Sequence, residues 1–479
     1  MNVHKLNHRV VGVAVTAGAI LGIVACGGGG GGSSSDRGAD GGGDRKTATS
    51  AQKIDTGGRA AGFLTGSMSR EDSIGIAWVH PEDTGLLHTT IWVNIRSGTS
   101  GQWSPPIEVA PNTNRYYSNQ NLSIDGSDNV VVAWDALVDG VWGNVVVSGV
   151  PQTPTFLGAV QGAGHPKPVG DIPGGRLGTV LFRDANECMA TRSYRLGTGW
   201  SDLAVIDPEI SPCTRWPRWQ GVSLQDGRKL ATWVGYTEFD ELQGRWRSNR
   251  GGIGYSVWTP GQGWSDVGIV VSGLEPLNFD VRPLDSPDTL SVAEDGTAWL
   301  YWTARGGRDN TMAFMAASFN GSQWAPPIEV AAWSTESTDG LTASLGAAMP
   351  GGNGVFFYIF GTGDDAQVRG RVFDAAQGIL RPSTVIDSFP MSSLAPLDVV
   401  RGLRASNLRG DVAFAVPGDP GGGGWRIYRY NGSRDEWWFD DLTSDIGVGE
   451  GALFINRAGK LTAVWTDLRE GGLWTKDFE

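Results

Sequence analysis

Arginine and tryptophan alternate in one string of the chain, Arg215-Trp216-Pro217-Arg218-Trp219. A guanidinium beside a flat ring suits a sugar, a carboxylate or the side chains of a protein partner, because the ring offers a face and the guanidinium a rigid fork of donors. Related chemistry sits in three other segments: Arg115-Tyr116-Tyr117, Gly164-His165-Pro166-Lys167, and residues 235–252, which hold Glu238, Asp240, Glu241, Arg245, Trp246 and Arg247. The candidate binding residues are Arg115, Tyr116, Tyr117, His165, Arg215, Trp216, Arg218, Trp219 and Trp246. The bland alternative is that these side chains pack a rim and satisfy backbone carbonyls. Glu238, Asp240 and Glu241 offer oxygens to calcium but lack the alternating spacing and central glycine of an EF-hand loop, so no metal is assigned. No His-Glu-x-x-His, Gly-x-Ser-x-Gly or Cys-x-x-Cys string occurs, and of five histidines only His80, His88 and His165 lie beyond residue 8. Binding is therefore favoured over catalysis, no catalytic residue is assigned and no cofactor is expected.

The elements that must position these groups repeat. Of 479 residues, 72 are glycine, 21 are tryptophan and only 19% are charged, a composition of many short strands and tight turns, not of long solvated helices. A strand-like segment, in most cases ending in an aromatic, recurs eight times: IGIAW (74–78), VVVAW (130–134), GTVLF (178–182), KLATW (229–233), AWLYW (298–302), GVFFYIF (354–360), DVAFAV (411–416) and KLTAVW (460–465). The spacing of about 50–70 residues is that of a solenoid, an array or a propeller blade. Before most of these segments lies a short strand with an Asp-Gly or Ala-Gly turn, as in LSIDGSDN (122–129) and LFINRAGK (453–460), which supplies positive φ for a hairpin. After them come a third strand and a fourth that often opens on Gly-x-Trp or Gly-Trp, as in SGQW (100–103), GTGW (197–200) and GSQW (321–324).

The unit is thus a four-stranded meander with two apolar faces, which radial stacking buries. The last unit holds only three strands, and Lys53-Ile54-Asp55-Thr56 resembles the fourth-strand endings of other units. The expected fold is all-β, an eight-bladed β-propeller over 51–479 closed by an N-terminal strand. Trp78, Trp134, Trp233, Trp302 and Trp465 recur with the blade and are assigned to the core. Trp103, Trp200, Trp264, Trp324 and Trp437 are assigned to packing between outer strands. In such a ring the segments leading into first strands share a face with the loops between second and third strands, so the candidate binding residues converge on one rim.

The first fifty residues give a cellular address. Lys5 and Arg9 precede an apolar stretch at 10–25 that is too short for a settled membrane span, which reads as an export signal. Residues 27–50, with six glycines running from Gly27, contain no apolar side chain larger than alanine and form a tether of roughly 25–30 Å r.m.s. span. The formal charge is −13 and no block of five basic residues occurs, so nucleic acid is excluded as a partner. Besides Cys26 the chain has Cys188 and Cys213, an even pair in an exported chain, for which a disulfide between adjacent blades is expected.

Ile23-Val24-Ala25-Cys26 resembles the lipobox of bacterial lipoproteins. The resemblance implies a signal peptide over 1–25, diacylation of Cys26, stable membrane attachment through its acyl chains such as palmitate, and, from Gly27 in place of aspartate, an outer-membrane address, periplasmic or at the cell surface. The blade pattern resembles exported bacterial propeller lipoproteins and, more distantly, sialidase-like propellers and fucose-binding propeller lectins. By analogy with sialidases, Asp285, Asp288, Arg282, Arg115 and Arg215 would form an anionic-sugar site with Tyr116 as nucleophile. The chain departs from that family, since its third-to-fourth turns lack the aspartate of the Asp-box. It also lacks the Thr-Gly-Lys tryptophan motif of quinone-dependent propeller dehydrogenases. The sequence thus points to a lipid-anchored module that binds a glycan or protein through an Arg/Trp-rich rim, with a glycoside hydrolase or a structural subunit of an envelope assembly as alternatives.

Overall fold

The recurring segments are the second strands of eight antiparallel sheets. The computed structural model describes residues 50–55, 62–81, 89–110, 117–136, 139–160, 166–170, 176–186, 188–206, 218–224, 226–236, 239–240, 245–246, 251–274, 290–293, 295–306, 311–334, 340–362, 365–390, 404–407, 409–417, 425–442, 448–467 and 472–478. All lie in one compact unit, Lys46–Glu479. Cys26 and the rest of the unit Met1–Arg45 fall outside the described residues. Among the described residues the only helix is a three-residue 3-10 turn at Pro350–Gly352, and no helix is long and apolar enough to cross a membrane.

Blade 1 runs through Gly62–Met68, Ile74–Pro81, Thr89–Arg96 and Ile107–Ala110, paired in that order. Blades 2 to 7 open on the first strands Tyr117–Ile124, Lys167–Gly170, Arg218–Ser223, Leu290–Val292, Gly340–Ala348 and Arg404–Ser406. Blade 8 takes three strands from the far end of the chain, Val448–Ile455, Leu461–Asp467 and Leu473–Phe478. Its fourth is Gln52–Lys53, with Gln52 opposite Thr475 and Lys53 opposite Trp474. The Ile54 N–H extends the ladder to the Leu473 carbonyl at 2.9 Å, and Ile54 is buried beside Trp78 and Phe454. The closing strand is therefore where Lys53 and Ile54 indicated, and the ring has no open sheet edge at this seam.

Eight apolar clusters fill the eight gaps between neighbouring sheets, the last joining blade 8 to blade 1. Because each sheet is covered on both faces, second strands read as nearly unbroken apolar runs and every residue of Val130–Ala136 is buried. Trp78, Trp134, Trp233, Trp302 and Trp465 all belong to these cores. The Gly-x-Trp side chains are half-buried and lie over the third strand of the preceding blade. Trp200 lies tight over Gly143, and Trp437 covers Gly370, where an added Cβ would collide with the indole. Trp264 Nε1 donates to Thr191 Oγ1 at 3.2 Å, and Trp324 meets Tyr255 edge-on with centroids 5.9 Å apart.

Two local devices repeat with the blades. A serine follows three of these tryptophans: Ser104, Ser201 and Ser265 each accept a third-strand N–H on Oγ, at 3.0, 3.0 and 3.1 Å. That bond lies where the fourth strand is interrupted; the fourth strand is in two pieces in blades 2, 3, 4 and 6, in blades 2 and 6 without such a serine. The first-to-second turns are five-residue loops closed by an N–H to C=O bond, as from Asp125 to Asn129 and from Asn456 to Lys460. In blade 2 positive φ falls on Asp128 and not on the Gly126 of the Asp-Gly pair, whereas in blades 4, 5 and 8 it falls on Gly227, Gly296 and Gly459. In all four loops this is the fourth residue, so blade 2 differs only in placing its Asp-Gly pair at the start of the loop; there Asp125 Oδ1 accepts the N–H groups of Ser127 and Asn129.

The seam is riveted by charge. Asp477, on the third strand of blade 8, receives Arg96 of blade 1 through Nη1 at 3.0 Å and Nη2 at 2.8 Å, with Thr462 Oγ1 at 2.7 Å and Lys460 Nζ at 3.0 Å.

Candidate functional site

Register decides which of the candidate residues the fold brings together. Tyr117 pairs with Ala136, Lys167 with Leu181 and Arg218 with Val234, so the first strands of blades 2, 3 and 4 all begin where the second strands end. These three starts therefore share one face of the ring, on consecutive blades. Tyr117, Arg218, Trp219 and Trp246 lie on strands whose side chains are not described. Arg115, Tyr116, His165, Arg215, Trp216 and Cys213 lie outside the described residues, as do Glu238, Glu241, Arg247, Arg282, Asp285 and Asp288.

On the same face blade 4 departs from the repeat. Its second and third strands, Lys229–Tyr236 and Gly251–Thr259, pair through to Tyr236 and Gly251. Beyond them Phe239–Asp240 pairs with Arg245–Trp246, Phe239 opposite Trp246 and Asp240 opposite Arg245. Among the described residues this is the one strand pair outside the blades. It is an arm of the blade 4 hairpin, rising from the sheet end at which Arg218 and Trp219 enter.

The wall of the central channel holds polar groups that sequence reading missed. Glu450 on the first strand of blade 8 accepts the Leu64 N–H of blade 1 at 2.7 Å. Thr65 Oγ1 donates to Asn121 Oδ1 of blade 2 at 3.2 Å, and Asn121 Nδ2 donates to the Pro166 carbonyl leading into blade 3 at 3.1 Å. Arg404, on the first strand of blade 7, donates to the Tyr301 hydroxyl of blade 5 and to the Gly346 carbonyl of blade 6. The signal available in the sequence was polarity on inner strands, which otherwise use small and apolar residues to fit the narrow axis.

Among the described residues, shifted proton affinities lie in the framework. Burial works to raise the Asp477 carboxyl, but hydrogen bonds from Arg96, Thr462 and Lys460 outweigh it and hold the group below the usual carboxylate range. Burial, then the charge of Asp387 beside it, pushes the Tyr428 phenol up. Burial pulls the Arg429 guanidinium down against the attraction of Asp440. These groups bridge or brace blades 6, 7, 8 and 1, as structural ion-pair networks do. Among the described residues no group of three or more His, Cys, Asp and Glu could hold a metal ion.

No protein-family model matches the chain, and no curated protein matches it. Solved β-propeller structures are similar in fold. A lectin from Burkholderia pseudomallei is 11% identical over 87% of this chain and 98% of that one, with a TM-score of 0.41. The polysaccharide lyase Uly1 is 10% identical over 92% and 94%, with a TM-score of 0.41. The intramolecular trans-sialidase from Ruminococcus gnavus is 12% identical over 90% and 97%, with a TM-score of 0.34.

Proposed function

We propose that the protein is a binding module, anchored to the outer membrane through lipid on Cys26, that recognises a glycan or a protein through the rim of blades 2 to 4. One observation carries this reading. The arm at Phe239–Asp240 and Arg245–Trp246 breaks the blade repeat at the sheet end where Arg218 and Trp219 begin their strand. The pairing of Phe239–Asp240 with Arg245–Trp246 lies outside the four-stranded sheets, and in this reading its aromatic and charged positions serve a ligand. Arg115, Tyr116, Tyr117 and His165 complete the rim in this reading. The likeness to carbohydrate-active propellers is one of fold and adds no weight, because fold does not fix function.

The Cys188–Cys213 bridge belongs to the same reading and would tie down the segment carrying Arg215 and Trp216. It is supported by Cys188, which is buried just before the third strand of blade 3 and whose sulfur is that of a half-cystine. Thiol titration of the unfolded, unreduced protein is expected to find no free Cys188 or Cys213.

The test of function is a glycan array and a panel of fluorogenic glycosides, run on the protein and on a variant with Arg215, Trp216, Arg218 and Trp219 all changed to alanine. Binding lost in the variant supports the rim. Turnover lost in the variant would replace the module with a glycoside hydrolase. Silence of the folded wild type on every sugar would leave a protein partner, to be sought by cross-linking in the native envelope.

A further inference from the structure

Arg404 is a cation that the framework holds without neutralising. Several arginines that brace the ring stand on carboxylates, namely Arg96 on Asp477, Arg381 on Asp374 and Asp435, Arg426 on Asp387 and Asp441, and Arg429 on Asp440; Arg192 and Arg371 instead bridge outer strands of neighbouring blades through backbone carbonyls. Arg404 has no carboxylate partner among the described residues. Its Nη1 donates twice, to the Tyr301 hydroxyl and to the Gly346 carbonyl at 2.6 Å, and its guanidinium carbon lies 5.5 Å from the centre of the Tyr301 ring. Tyr301 is fully buried, and Gly346 lacks the Cβ that would strike its ring. The side chain thus runs from blade 7 across the inner edge of blade 6 to blade 5. First strands pair on one edge only, so the other edge faces the ring axis and Arg404 lies along the channel wall.

Both anchors are neutral and both use Nη1. Nε and Nη2 are left, and together they form the side-on edge by which a guanidinium takes both oxygens of a carboxylate in parallel hydrogen bonds. Neither nitrogen is among the sealed buried polar atoms that lack a partner. Glu450, on the adjoining blade 8, is turned to the Leu64 N–H of blade 1 and forms no ion pair with Arg404. In a protein of formal charge −13, an uncompensated cation in a narrow passage concentrates the local field for an anion.

We propose that Arg404 is the cation of a carboxylate-binding site in the central channel, distinct from the rim of blades 2 to 4. Its ligand is a small carboxylate, either free or carried on an acidic sugar. Isothermal titration of the full chain with glucuronate, acetate and glucose at constant ionic strength tests it. Saturable binding of a carboxylate without binding of glucose is the expected result; glucuronate without acetate identifies an acidic sugar, and equal binding of the two identifies a simple carboxylate. Arg404→Gln is expected to weaken that binding by about tenfold or more, the loss of a charge-assisted two-bond contact. Should Arg404→Gln fail to fold, Arg404→Lys keeps the charge and stem but not the fork, and is expected to bind several-fold more weakly. Absence of carboxylate binding in the wild type, or equal affinity in wild type and the folded variant, overturns the proposal.

Discussion

The seam between blades 8 and 1 and the rim end of blade 4 use similar residues to opposite ends. At the seam an arginine, a lysine and a threonine converge on Asp477, beside an apolar cluster that includes Ile54 and Trp78. At blade 4, arginine, tryptophan and aspartate are placed by register on an arm that pairs with no blade. Where the repeat is kept, charged and aromatic groups hold sheets together. Where it is broken, the same residue types stand on a separate strand pair outside the blades.

Damage to the seam is expected to be the most severe. Deleting residues 51–57 removes the fourth strand of blade 8, uncovers Leu473 and Trp78 and leaves an open edge. Calorimetry should show a loss on the order of 10 °C in Tm together with aggregation on heating, and an unchanged Tm would break the comparison. Trp465→Ala, which empties a fully buried site between blades 7 and 8, is expected to cost about 3–5 kcal/mol in denaturant unfolding.

Asp477→Asn should cost less, about 1–3 kcal/mol, since it leaves Arg96 without its charged acceptor. Its pH dependence has a definite sign. The folded carboxyl titrates below its unfolded value, so its stabilisation is complete above the ordinary carboxylate range and fades as pH falls through the lower folded value. Denaturation followed across acidic pH should therefore show a shallower acid loss in Asp477→Asn than in the wild type. Gly370→Ala forces a methyl into the Trp437 indole and is expected to cost about 1–3 kcal/mol by overpacking. Trp246→Ala sits at the other end of the scale, with stability held within about 0.5 kcal/mol and ligand binding lost. A large drop in its Tm would return the arm to the framework.

Much of the fold was legible because its constraints are local and periodic. The segments 130–134 and 460–465 announce strands buried on both faces, and Lys53-Ile54 could be matched to other fourth-strand endings. The broken fourth strands of blades 2, 3, 4 and 6 were not legible, and the serine after Gly-x-Trp looks like any loop residue until its Oγ is seen to accept a third-strand N–H. Asp128 hid its positive φ behind the more conspicuous Gly126. The convergence of the candidate segments on one rim followed from the topology of the blades, and register places the starts Tyr117, Lys167 and Arg218 on one face; that Phe239 stands opposite Trp246 was not legible. Arg404 was invisible for a different reason. Its partners Tyr301 and Gly346 belong to other blades, and no spacing within one repeat unit reports a contact that skips a blade.

Blade 8 has one further consequence, for the order of events in synthesis. Residues 52–53 are among the earliest of the ring to be made, and their partners at 474–475 are among the last. The first-formed strand must wait, unpaired, while seven sheets are assembled behind it, and no shortened chain can complete the circle. Closure therefore works as a check on length: a product cut off before Leu473 leaves Lys53 and Ile54 without their partners, an exposed edge and an unfilled seam.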